Sequence, residues 1–124
     1  METGLARGGV YSLVVLADGT TSLYFSTGGG IIGAGEHASV RQAAAAMLTE
    51  ANRLRSETKL TESTPLPSSG QVVFYLLSNT GTLTGSGAEA ELGGGKGQLS
   101  PLFFAGHNVI GEIRKTQDAR GPSK

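Results

Sequence analysis

The side chains able to do acid–base or metal chemistry in this sequence are few, and they do not cluster. Glu36 and His37 are adjacent, but the second histidine, His107, lies far along the chain, and neither aspartate stands near a histidine. Metal sites built within one segment need ligands at short regular spacings, so Glu36, His37 and His107 form a site only if the fold gathers them. No residue is assigned a catalytic role and no metal is expected. His37 reads as a polar residue ahead of a helix, and His107 as a residue beside a helix's apolar stripe.

Serine and the carboxylates point the same way. Ser86 sits in Gly85-Ser86-Gly87, but no Gly-X-Ser-X-Gly elbow leads into a helix. Glu89 and Glu91 have strand spacing, without the aromatic platform that usually accompanies a sugar-cleaving carboxylate pair.

Glycine is the other possible source of chemistry. The run from Gly28 through Gly29, Gly30, Gly33 and Gly35 follows a strand-like segment and precedes a helix-like one. In that setting backbone N–H groups can cradle an anion. The spacing is not that of a dinucleotide loop, however, and no Lys-Ser or Lys-Thr pair closes a phosphate loop. A second cluster, residues 93–97, contains Lys96 and also precedes a helix. These glycines and Lys96 are the candidate ligand-binding positions. No cofactor is expected.

The elements that must position these groups follow from pattern. Residues 10–17 and 20–26 are apolar and β-branched, and Asp18-Gly19 between them suggests a two-residue type I′ hairpin. Residues 39–56 repeat Val40, Ala44, Met47, Ala51 and Leu54 at helical spacing, with Ser39 and Gln42 placed as a capping box. Residues 71–78 are almost continuously apolar and read as a central strand covered on both faces. Asn79-Thr80-Gly81 turns the chain into residues 82–92, where a change of apolar parity predicts a bulge or break near Gly85-Ser86-Gly87. Ser100-Pro101 opens a last helix bearing Leu102, Phe103, Val109, Ile110 and Ile113.

These elements define an α+β domain in β-β-α-β-β-(β)-α order. It has a single, mostly antiparallel sheet of four or five strands packed against two helices. Pairing the two hairpins through their first and last strands gives the order 2-1-4-3, or 2-1-5-4-3. One domain spans residues 1–124, with flexible ends at about 1–9 and 117–124.

Composition narrows the setting. The chain has 10 basic and 10 acidic residues, so no broad field draws nucleic acid or an anionic membrane. No apolar run is long enough to span a bilayer. Cysteine is absent, which removes disulfides and thiolate chemistry and favours a cytoplasmic setting. Charged residues make up only 16% of the chain, leaving few groups to solvate its surface. Self-association is therefore expected, as a homodimer. Phe103 and Phe104 point about 100° apart on a helix, so both cannot lie in one narrow stripe. Phe103, Phe104 and Ile110 are the candidate interface residues.

The Asp18-Gly19 hairpin, the helix over 39–56, the apolar strand over 71–78 and the Pro101-led helix together resemble the roadblock/longin group of small profilin-like domains. The resemblance is one of topology, and the extra helices those domains carry at one end or the other have no counterpart here. It implies a dimerising platform for protein partners and transfers no catalytic or nucleotide-contacting residue. The expected function is a non-catalytic protein-interaction or scaffold domain. The alternative is a small-molecule-binding protein or enzyme with a site near the glycine-rich loop and the histidines.

Overall fold

A computed structural model describes residues 1–119, with side chains described through residue 117. Seven strands form one open antiparallel sheet: β1 (Glu2–Gly4), β2 (Val10–Val15), β3 (Thr21–Phe25), β4 (Gly30–Ile31), β5 (Lys59–Thr61), β6 (Gln71–Ser78) and β7 (Gly81–Ala88). Their order across the sheet is β4-β3-β2-β1-β6-β7-β5. Two helices, α1 (Ala38–Arg53) and α3 (Ser100–Ala119), pack together over one face, and a single turn of helix, α2 (Glu89–Gly93), follows β7. The α+β class and the two long helices agree with the sequence reading. The strand number and order do not.

The difference starts at β1. Residues 2–4 were read as part of a loose start, yet β1 lies mid-sheet, between β2 and β6. Thr3 is fully buried, and Met1 belongs to the core. The expected order placed β7 against the first hairpin. Instead the second hairpin is turned round, so that β6 faces inward and β7 lies outside it. Val72 and Phe74 explain this choice, because the strand with the largest apolar side chains gains most from a central position. The edges are short strands, β4 and β5, which limits the backbone open to edge pairing. β4 also pairs with β3 through Leu23 and Tyr24, so β3 is not the open edge that an edge-to-edge dimer would need.

Local chemistry differs in four further places. The first hairpin closes through Ala17-Asp18-Gly19. Gly19 N–H donates to Leu16 O, Leu16 N–H donates to Thr20 O, and among these loop residues only Gly19 has positive φ, at 94°. That is a type I turn with a glycine bulge rather than a type I′ turn. Helix α1 is N-capped by His37 without a side-chain cap bond, so the Ser39–Gln42 capping box does not form. Ser100 Oγ accepts a hydrogen bond from Gly97 N–H, which ties it back to the preceding turn. The bulge expected near Gly85 is also missing. β7 pairs with β6 without interruption from Ser78↔Gly81 to Gln71↔Ala88, and the change of parity marks the start of α2.

One face of the sheet meets the helices. Leu13, Leu23, Val72 and Phe74 join Val40, Met47, Leu102, Val109 and Ile113 in a single apolar cluster. Among the described residues no helix covers the opposite face, so β6 meets helices on one side only. Val14, Leu16, Tyr24 and Leu77 are exposed on or beside that open face. The loop between β5 and β6 touches it where the Tyr75 hydroxyl donates to Pro65 O at 2.6 Å.

Candidate functional site

The sequence-derived candidates separate into three places. Gly30, Gly33, Glu36 and His37 border one small polar hollow of about 240 Å³, together with Ala34 and Gln117. Gly28 and Gly29 form the β3–β4 turn, where Gly28 N–H donates to Phe25 O and Phe25 N–H to Gly29 O. Gly35 packs against the backbone of Gly19. The carbonyls of Gly35 and Glu36 both accept from Arg41 Nη1 at 2.8 Å. That contact turns carbonyl oxygens toward a cation, the reverse of an anion cradle. The hollow is also smaller than the roughly 300 Å³ at which small-molecule pockets usually begin.

Lys96 is exposed in the turn between α2 and α3, apart from that hollow. His107 is apart from it too, on α3, its ring 4.4 Å from Phe103. The fold thus joins Glu36 to His37 and leaves His107 elsewhere. Among the described residues no group of three or more His, Asp or Glu side chains is arranged to hold a metal. Of the interface candidates, Phe103 and Ile110 are core residues, while Phe104 is 45% exposed and meets Phe103 edge-on.

Buried polar groups gather beneath α3. Among the described residues neither the Thr3 hydroxyl nor His107 Nε2 has a hydrogen-bond partner within 3.5 Å, and both atoms are buried. Burial pushes the Tyr11 phenol above its ordinary pKa. Burial likewise lowers the His107 pKa, an effect that Glu89 opposes and Arg114 reinforces. The Met1 amino group donates to Leu13 O at 3.0 Å, and burial lowers its pKa from 8.0 to about 6, with Glu2 opposing the change.

Both His107 and the Met1 amine are bases whose charged form the folded state disfavours. Between the folded and unfolded pKa values the unfolded chain binds more protons, so stability rises with pH. For the chain with a free Met1 amine the window runs from about pH 6 to 8, and the shift corresponds to a few kcal/mol, on the order of 1.4 per pH unit. Urea unfolding should therefore show full stability above pH 8 and a progressive loss down to pH 6. His107 adds a further loss as pH falls through the ordinary histidine range. A flat profile from pH 8.5 to 5.5 would contradict the burial of both groups.

A second, larger hollow, about 530 Å³, involves none of the sequence-derived candidates. It runs between β2 and β6, lined on one side by residues 12–17 and on the other by residues 74–78. Consecutive residues on both walls mean that it follows strand edges rather than lying on one sheet face. Glu2 pairs with Ser12 on one side and Val73 on the other, and Met1 exchanges two backbone hydrogen bonds with Leu13. The hollow is a slot between residues 14–17 and residues 75–78, and β2 and β6 run parallel to each other, each antiparallel to β1. Leu48, Ala51, Asn52 and Arg55 close its helix side. Sequence reasoning missed this slot because its walls, residues 12–17 and 74–78, are far apart in the chain. Its one sequence signal is the apolar character of Val14, Leu16 and Leu77, whose alternation points them away from the helices.

No protein-family model, no curated protein and no solved structure matches the chain. Among the described residues no helix is long and apolar enough to cross a membrane.

Proposed function

We propose that this chain is a non-catalytic protein-interaction domain, a platform in the general manner of roadblock/longin-type domains, and that it self-associates as a homodimer. The slot between β2 and β6 carries this reading, because it joins an apolar cavity to unpaired strand edges. Val14, Leu16 and Leu77 at its rim are 39%, 45% and 76% exposed. A contiguous apolar rim beside open backbone is a surface that gains from a polypeptide partner. The open sheet face and Phe104 offer area for the second copy, and a stable pair should bury more than about 1,000 Å².

The experiment compares the wild-type chain with the double variant Leu16→Glu/Leu77→Glu, whose substitutions lie on exposed positions. Wild type should retain a defined protein partner that the variant loses, and the complex should re-form from purified components. Equal recovery by both chains would remove the slot and rim from the interaction. Sedimentation equilibrium tests the dimer: the mass should lie near twice 12.6 kDa. A monomeric mass at tens of micromolar would defeat the homodimer.

A further inference from the structure

The outward side of the helix layer is built unlike an ordinary solvated surface. A Cβ on Gly106 would stand 3.3 Å from Met47 Cε, and His37 and Gln117 border one hollow, so α1 and α3 run antiparallel. On that alignment residues 42–49 of α1 lie level with residues 104–111 of α3. Neither stretch contains a lysine, arginine, aspartate or glutamate. A helix face turned to water usually carries such residues. Here the exposed positions are Gln42, Ala45, Ala46, Thr49, Phe104 and Asn108. Charge resumes where the stretches end. Arg41 turns aside to the carbonyls of Gly35 and Glu36, and Glu50–Arg53 and Glu112–Lys115 form pairs that are neutral in themselves.

Phe104 and Gly111 give this surface its relief. They are seven residues apart, close to two turns, and so share the side of α3 turned away from the core. Phe104 projects from that side, 45% exposed. Gly111 leaves a gap in it, since a Cβ there would meet nothing within 4 Å. Gly106 is explained by Met1 and Met47 packed against it, but no contact among the described residues calls for a glycine at 111. Glycine is second only to proline in disfavouring a helix interior, so one that the chain itself does not need points to a close approach from outside.

A projection and a gap on one helix fit each other under a two-fold axis. We propose that the chain pairs with a second copy through this helix layer, α3 against α3 and α1 against α1 in the antiparallel sense, with Phe104 of each copy seated over Gly111 of the other. That register puts the axis between His107 and Asn108. Its level on α1 falls between Ala45 and Ala46, whose small side chains let the two layers approach, and no like charges meet at the centre. Residues 100–115 span about 24 Å, and two helices side by side are about 20 Å wide. The layer therefore offers about 500 Å² per copy, which brings the pair to the roughly 1,000 Å² that a stable dimer needs. The proposal rests on the homodimer reading above and names the surface that makes it.

The chain has no cysteine, so a single introduced one reports on the interface by itself. Asn108→Cys lies beside the axis and should oxidise to a disulfide-linked dimer, whereas Leu77→Cys on the open sheet face should stay uncrosslinked under the same conditions. Gly111→Leu fills the gap, and sedimentation equilibrium should show the dimer dissociation constant raised at least about tenfold. Phe104→Glu removes the projection and buries a charge in its place, and should raise the constant at least as much. Both positions are open to solvent in the single chain, so circular dichroism should find each variant folded with the helix content of the wild type. Undiminished pairing of both variants, or crosslinking through Leu77→Cys and not through Asn108→Cys, overturns the proposal. If the wild type is a dimer and either of those results is found, the homodimer stands and only its helix-layer mode falls. A wild-type chain that is monomeric at tens of micromolar removes both.

Discussion

Replacing Phe74 by alanine is expected to destabilise the protein by about 3–5 kcal/mol. Phe74 is 2% exposed and lies mid-way along the central strand β6, inside the apolar cluster. Its cross-strand neighbour is Gly85, which has no side chain to move into the vacancy. A Cβ on Gly85 would stand 2.5 Å from Leu99 Cδ1, so the space over Gly85 is already taken by the Leu99 side chain. The hole would therefore stay open and join the adjoining slot, which Phe74 helps to line. A loss of this size is a large part of the roughly 5–15 kcal/mol that holds an ordinary domain together. Urea denaturation should show the midpoint falling steeply with an unchanged slope, and Phe74→Leu should retain most of the stability. A loss below about 1 kcal/mol for Phe74→Ala would mean that the sheet–helix core repacks freely.

The second large effect is expected at Gly4, from backbone rather than side-chain packing. A Cβ on Gly4 would overlap the backbone carbonyl of Ser68. No rotamer change relieves that contact, so one of the two segments must move. Both are tied: Gly4 O accepts from Gly70 N–H at 2.9 Å, and Gly4 bridges to Ser69. Separating them pulls on β1, the strand that joins the two halves of the sheet. Gly4→Ala should cost at least the 1–3 kcal/mol typical of overpacking, about as much as many core truncations, although only a methyl group is added. Hydrogen exchange should show the loss concentrated in β1 and its partners, with the β2–β3 hairpin less affected. Unchanged stability in Gly4→Ala would show that the loop before β6 is free to lift away.

Much of the fold is written in local pattern. Helix α1 follows from Val40, Ala44 and Met47 at helical spacing, and α3 from its Pro101-led start and apolar side. The β2–β3 and β6–β7 hairpins follow from two apolar strands on either side of a short turn. Those features depend on neighbours within a few residues, where propensity and periodicity act directly. The turn at Gly19 was legible as a turn but not as to type, because Asp18-Gly19 suits more than one hairpin loop. The apparent bulge at Gly85 was a misreading of the same kind. A parity change arises equally from a distorted strand or from the first turn of a helix, and α2 is too short to reveal its period.

The sites were less legible than the elements. Glycine content and the two histidines drew attention to the β3–β4 turn and to α3, because those residue types carry chemistry elsewhere. In the structure His37 and His107 are apart, and Arg41 occupies the carbonyls of the glycine loop. The larger hollow involves residues with no chemical signature at all. It lies between residues 12–17 and residues 74–78, which are brought side by side by contacts that no single segment contains.

The sequence by itself determined the two long helices and the four longer strands, which hairpins close locally, and many of the side chains that seek the core. Those follow from side-chain periodicity, β-branching and turn residues, each acting over a few positions. Only the tertiary structure decided that β1 separates the two hairpins, that β6 rather than β7 faces inward, and that one sheet face stays bare. Strand order depends on contacts between residues far apart in the chain, where three residues such as Glu2–Gly4 can complete two ladders at once. A segment that short carries almost no pattern of its own, and its place in the sheet is set by the backbone groups of β2 and β6 that it satisfies.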